Sequence, residues 1–146
     1  MTGFAPAPTF VGFERQFHVV TDLGSGKRGY VITGTARMQF KAAGQDWSRG
    51  SITFDVPVPE LAPGMGLRLI YWAPLVTLAA VSNDSVATDA GWAVDRFDLL
   101  MTHLCRRFVT VKADVAVRDA DGWMWRLGYS VNLVGTPAPE SGPDVH

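Results

Sequence analysis

Four groups of residues have the types and spacing that chemistry uses. Gly24-Ser25-Gly26-Lys27-Arg28-Gly29 has the glycine-rich, basic character of a phosphate cradle. Such a loop needs a Ser or Thr after the lysine and a helix behind it. Here Arg28 follows and a strand-like alternation comes next, which makes the segment a mobile hairpin tip whose Lys27 and Arg28 could touch an anionic partner surface. Asp119-Ala120-Asp121-Gly122 opens like a calcium loop, but no third oxygen ligand or distal glutamate completes it, and Trp123 follows at once. Turn chemistry accounts for both aspartates. His103 and Cys105, placed on a helix, would point about 200° apart, which suits neither a shared zinc nor a nucleophile beside its base. His18 and the terminal His146 supply no further ligand, so Cys105 reads as a buried thiol. Asp95 and Asp98, three apart, could face one site from a helix, but a solvated first turn is the ordinary cause of that spacing, and Asp55 alternates away from Phe54 and Val56 toward water. No catalytic constellation and no metal-ligand set emerges, and no cofactor is implied.

The aromatic residues say more. Five tryptophans, eight phenylalanines and three tyrosines must each bury a large area, and every indole needs a partner for its N–H. A domain of this size cannot hide all of them, and exposed rings anchor interfaces and pockets. The candidates for a ligand or interface surface are therefore Trp72, Trp123 at a hairpin end, Trp125, Tyr129, Tyr30 and His18, with the basic pair Lys27 and Arg28. Charge also separates along the chain: Arg15 to Arg49 holds six basic and two acidic residues, and Gly50 to Leu100 holds two basic and six acidic ones. Either the two segments make a bipolar molecule able to associate head to tail, or neighbouring strands pair these charges internally.

The elements that must position these groups are mostly strands. Val109, Val111, Ala113, Val115 and Val117 alternate with polar residues, and after the turn the alternation resumes with Trp123, Trp125, Leu127, Tyr129, Val131 and Leu133. This predicts a hairpin with Val117 opposite Trp125 and Ala113 opposite Tyr129. Phe13, Phe17 and Val19 form one apolar set and Tyr30, Ile32, Gly34, Ala36, Met38 and Phe40 another, joined through residues 22–29. Ile52, Phe54, Val56 and Val58 make a further strand, with a bulge expected at Gly50. Leu67 to Ala73 and Leu75 to Val81 read as two short strands separated by Pro74, an edge or corner residue. Val94, Phe97, Met101, Leu104 and Phe108 recur at spacings of three and four, which predicts one helix near 92–107, capped by Thr88 or Asp89.

The expected fold is mainly β, all-β or α+β: an antiparallel β-sandwich or partly closed barrel of about seven or eight strands plus that helix. With 146 residues and 47% hydrophobic content, a single β-rich domain is expected over 1–135, followed by a disordered proline-rich tail at 136–146. A net charge of −1 argues against nucleic acid as a partner. The longest apolar stretch, Leu67 to Val81, contains Arg68 and Pro74 and is too short for a membrane span. One cysteine and a start unlike a secretory signal point to the cytoplasm. Two functions fit: a non-enzymatic binding or assembly module that forms a homo-oligomer through aromatic and charged surfaces, or a small barrel that holds an apolar small molecule and acts as a cofactor-free cyclase or isomerase. In the second, Tyr30, Tyr129 and His18 would be the polar groups, and Gly34, Ala36 and Ala113 would leave the room.

Overall fold

The computed structural model describes residues 7–41, 46–82, 86–100, 102–120 and 124–141. Seven strands follow one another: β1 (Thr9–Gly24), β2 (Lys27–Gln39), β3 (Ser48–Pro57), β4 (Met65–Ser82), β5 (Val86–Leu100), β6 (Phe108–Ala120) and β7 (Met124–Pro139). They form two antiparallel sheets, one ordered β1-β2-β7-β4 and the other β3-β6-β5. The sheets do not close, so the fold is a sandwich and not a barrel. Only β1–β2 and β5–β6 are sequential neighbours within a sheet; the other connections pass from one sheet to the other.

Alternation builds the core as the sequence implies. Tyr30, Ile32, Ala36 and Met38 of β2 and Trp125, Leu127, Tyr129, Val131 and Leu133 of β7 are buried on the inner face of one sheet. Ile52, Phe54 and Val56 of β3 and the odd residues from Val109 to Val117 of β6 line the other. The side chains of β6 and β7 thus face inward as expected, but the strands are not a hairpin. β6 pairs with β3 and β5, β7 pairs with β2 and β4, and their apolar sides meet across the sandwich. Alternation specifies which side of a strand is buried and is blind to which strand lies beside it.

The expected helix is a strand. β5 runs antiparallel to β6, with Trp92 opposite Val117 and Leu99 opposite Val111. Between Val94 and Arg96 the register slips by one, leaving Asp95 as an extra residue. That bulge moves the inward phase from Trp92 and Val94 to Phe97 and Leu99, and a strand whose parity flips once imitates a three-residue helical spacing. Residues 102–107 then form the turn that leads into β6. His103 lies exposed in it and Cys105 buried, so the helical angle between them does not arise.

Other boundaries move as well. The supposed tail is ordered to residue 141: Thr136–Pro139 pair with Met65–Arg68 of β4, and Ser141 donates its backbone N–H to the Cys105 carbonyl. Residues 142–146 lie outside the described residues. Pro74 does not divide β4, because β4 is an edge strand where a missing donor leaves no broken ladder. Gly50 sits in regular register with Val115, and its small size serves Pro8, whose Cδ would lie 2.5 Å from an added Cβ. The β1–β2 tip shrinks to Ser25-Gly26, both with positive φ, the left-handed pair that a two-residue hairpin turn requires.

Candidate functional site

A bulge decides what the four-stranded sheet shows to the outside. On β1, Phe13 pairs with Ala36 and faces the core, but Glu14 is an extra residue, and beyond it Arg15 pairs with Thr35 and Phe17 with Thr33. The parity therefore reverses. Phe17 and Val19, expected to share the side of Phe13, stand outside at 63% exposure each. Val31 of β2 and Tyr71 and Leu75 of β4 join them at 43%, 55% and 49%. Two apolar ridges result, one from β1 and β2 and one from β4. Between them runs an open groove of about 380 Å³, floored by Thr33, Thr35, Gly128 and Ser130, with Phe17 and Leu75 as walls and Arg15 at its rim.

The three-stranded sheet presents a different exterior. Ser51, Thr53 and Asp55 alternate outward on β3. Arg96 is directly opposite Asp114, and Asp98 is directly opposite Lys112. Ser51 donates to Asp114 at 2.6 Å and Thr110 to Asp55 at 2.7 Å. The extra residue of β5, Asp95, reaches across β6 to pair with Arg49 of β3. That bond joins the basic and acidic segments of the sequence internally.

The residues singled out from sequence fall into three places. Trp125 and Tyr129 are core. The Trp125 indole donates to the Phe40 carbonyl at 2.9 Å, and the Tyr129 hydroxyl accepts from Gln16 Nε2 at 2.8 Å. Burial raises the Tyr129 phenol above its ordinary range, and the Gln16 bond opposes this in part. Tyr30 is core too, at 2% exposure. Phe13 and Phe54 pack on Tyr129 with ring centroids 5.7 and 5.6 Å away, so rings occupy the room expected above Gly34 and Ala36. The small-barrel reading loses its container.

His18, Lys27 and Arg28 gather at one end of the sandwich. His18 Nε2 lies 3.6 Å from the Glu60 carboxylate, and Arg28 donates to the Glu60 carbonyl at 2.8 Å. Lys27, Arg28 and Glu60, with the β1–β2 turn and Thr136, line an open hollow of about 690 Å³, and His18 is not part of its lining. Tyr30, then Glu60 and Asp22, raise the Arg28 guanidinium, which is charged at any working pH in either case. The loop after β3 is held there by arginines: Arg107 donates to the carbonyls of Ala62 and Met65 as Arg28 does to Glu60. These bonds serve structure, and the hollow mixes both signs of charge. Trp72 stands on β4 opposite Leu133, 40% exposed at the sheet edge. Trp123 lies outside the described residues.

Sequence reasoning missed the groove itself, with Phe17, Leu75 and the hydroxyl floor. The signal available was the apolar excess of β1 and β4, which exceeds what one buried face can hold. Comparison with protein-family models, with curated proteins and with solved structures returns no match.

Proposed function

We propose that this protein is a non-enzymatic binding and assembly module that forms a homo-oligomer through the outer face of its four-stranded sheet. One observation carries the reading. The outward side of a sandwich strand is ordinarily polar, yet five large apolar residues line this face, while on the opposite exterior Arg96 stands in register with Asp114 and Asp98 with Lys112. The ridge on β1 continues into the free edge of the sheet, a 16-residue strand that also exposes Val11 and Leu23. Long apolar edges are pairing surfaces unless something covers them. A second copy is the occupant argued for, since symmetric self-association is the commonest way a soluble chain covers such a face.

Sedimentation velocity over a wide concentration range tests this directly. The wild-type chain associates, and Phe17→Ser combined with Leu75→Ser shifts it to monomer while its circular dichroism stays unchanged. A wild-type protein that is monomeric at every concentration overturns the proposal.

A further inference from the structure

A free sheet edge is half of a ladder, and the two sheets leave β1, β4, β3 and β5 as edges. Three of these are blunted. β4 carries Pro74, which has no N–H to offer, between two register shifts. β5 is interrupted by its extra residue Asp95. β3 is regular, but it turns Arg49, Ser51, Thr53 and Asp55 outward and ends at Pro57, and its Arg49 is tied to Asp95. β1 has none of these devices between Arg15 and Asp22. Its register with β2 is unbroken there, and the segment contains neither proline nor lysine. Both of its sides are uncovered, since Gln16 and His18 are exposed as well as Phe17 and Val19.

A strand added to this edge must match its pattern, because antiparallel partners set side chains of the same face opposite one another. Arg15, Phe17, Val19 and Thr21 follow the outward phase of Thr35, Thr33, Val31 and Gly29, and Gln16, His18 and Val20 follow the inward one. β1 matches itself. About a two-fold axis through His18, each Phe17 lies opposite the Val19 of the other copy and each Arg15 opposite Thr21. On the inward side Gln16 lies opposite Val20, and His18 meets its own copy, with a Glu60 carboxylate 3.6 Å from each imidazole. An axis between two residues would set outward side chains against inward ones. Moving the axis to Val19 puts Phe17 opposite Thr21 and Arg15 opposite the extra residue Leu23, and moving it to Phe17 puts Arg15 opposite Val19. The axis at His18 is the one that pairs the large apolar residues with each other.

Resting on the assembly reading above, we propose that the second copy enters edge to edge: β1 pairs antiparallel with β1 of its partner over Arg15–Thr21, centred on His18, and the two four-stranded sheets become one continuous sheet. The ladder satisfies the backbone N–H and C=O groups that alternate residues of β1 direct away from β2. The outward ridges of Phe17 and Val19 merge into a single apolar strip across the junction.

The test is a cross-link. This register brings the two Cβ atoms at position 18 to about 4.5–5.5 Å, close to disulfide reach. His18→Cys, treated with the thiol oxidant diamide at an associating concentration, therefore runs as a linked dimer on a non-reducing gel, and the wild-type chain, whose Cys105 is buried, does not. Val19→Cys links at least about tenfold more slowly, because its copy lies on the diagonal at about 7–8 Å. In the wild-type chain, hydrogen exchange at the amides of residues 15–21 slows as concentration rises. A folded His18→Cys that fails to link, equal or faster linking through Val19→Cys, or β1 amides whose exchange ignores concentration while sedimentation shows association, each overturns the edge ladder and leaves the assembly reading standing on the sheet face alone. A His18→Cys chain that does not fold leaves the decision to the exchange measurement. A wild-type chain that never associates overturns both.

Discussion

The two exteriors of this sandwich are made by the same alternation and have opposite characters. On the three-stranded sheet opposite charges share register: Arg96 lies opposite Asp114 and Asp98 opposite Lys112, Arg49 pairs with Asp95, and the hydroxyls of Ser51 and Thr110 donate to Asp114 and Asp55. On the four-stranded sheet Arg37 faces Arg126, and Phe17, Val19, Val31, Tyr71 and Leu75 stand outward around a floor of Thr33, Thr35 and Ser130. A polar face with opposite charges in register is suited to water, whereas a face that sets apolar ridges beside two arginines in register is not. The contrast teaches that the exterior to interrogate is the one whose cross-strand partners disagree.

The largest effect comes from the shared core: Trp125→Ala removes a fully buried indole and its bond to Phe40, costing about 3–5 kcal/mol. Chemical denaturation reads this cost. Because Trp125 touches neither exterior, the fraction that remains folded associates as wild type does; lost association without lost stability would undo the division between core and face. Gly34→Ala follows at about 1–3 kcal/mol, the usual range for overpacking. An added Cβ would sit 2.2 Å from the Arg15 carbonyl oxygen and 2.4 Å from the Tyr129 hydroxyl, so thermal unfolding detects it as damage to the four-stranded sheet.

Alkaline pH gives a subtler distinction. The Tyr129 phenol is raised by burial, so the unfolded chain ionises first. Its contribution to stability is complete below about pH 10 and is lost as pH climbs through the folded value. Urea midpoints measured from pH 8 upward fall along this limb, and Tyr129→Phe flattens it. The smallest effect is expected on the quiet exterior. Arg49→Ala removes the exposed pair with Asp95 and lowers stability by about 1 kcal/mol or less, with association unaltered.

Much of the architecture was legible from period two alone. The buried sides of β2, β3, β6 and β7 follow from Ile32, Phe54, Val111 and Leu127 and their neighbours two residues away. Legibility failed at two places where one extra residue entered a strand. Glu14 reversed the sides of Phe17 and Val19, and Asp95 made β5 resemble a helix through Val94 and Phe97. A bulge has no strong composition signal; its signature is a change of phase, which a shorter reading mistakes for another period. The candidate surface was missed for the same reason. The rings chosen for their size, Trp125, Tyr129 and Tyr30, are those the core consumed.

Residue order by itself determined that the chain would form strands and which side of most of them would be apolar, because alternation acts within a few residues and depends on no distant partner. Which strands would be neighbours only the tertiary structure decided. Setting β6 and β7 in different sheets, bringing Arg37 opposite Arg126, and stretching the bulged Asp95 across β6 to Arg49 all depend on pairings between segments far apart in sequence. Those pairings are chosen by the packing of two whole sheets, in which the burial of every inward side chain is weighed together.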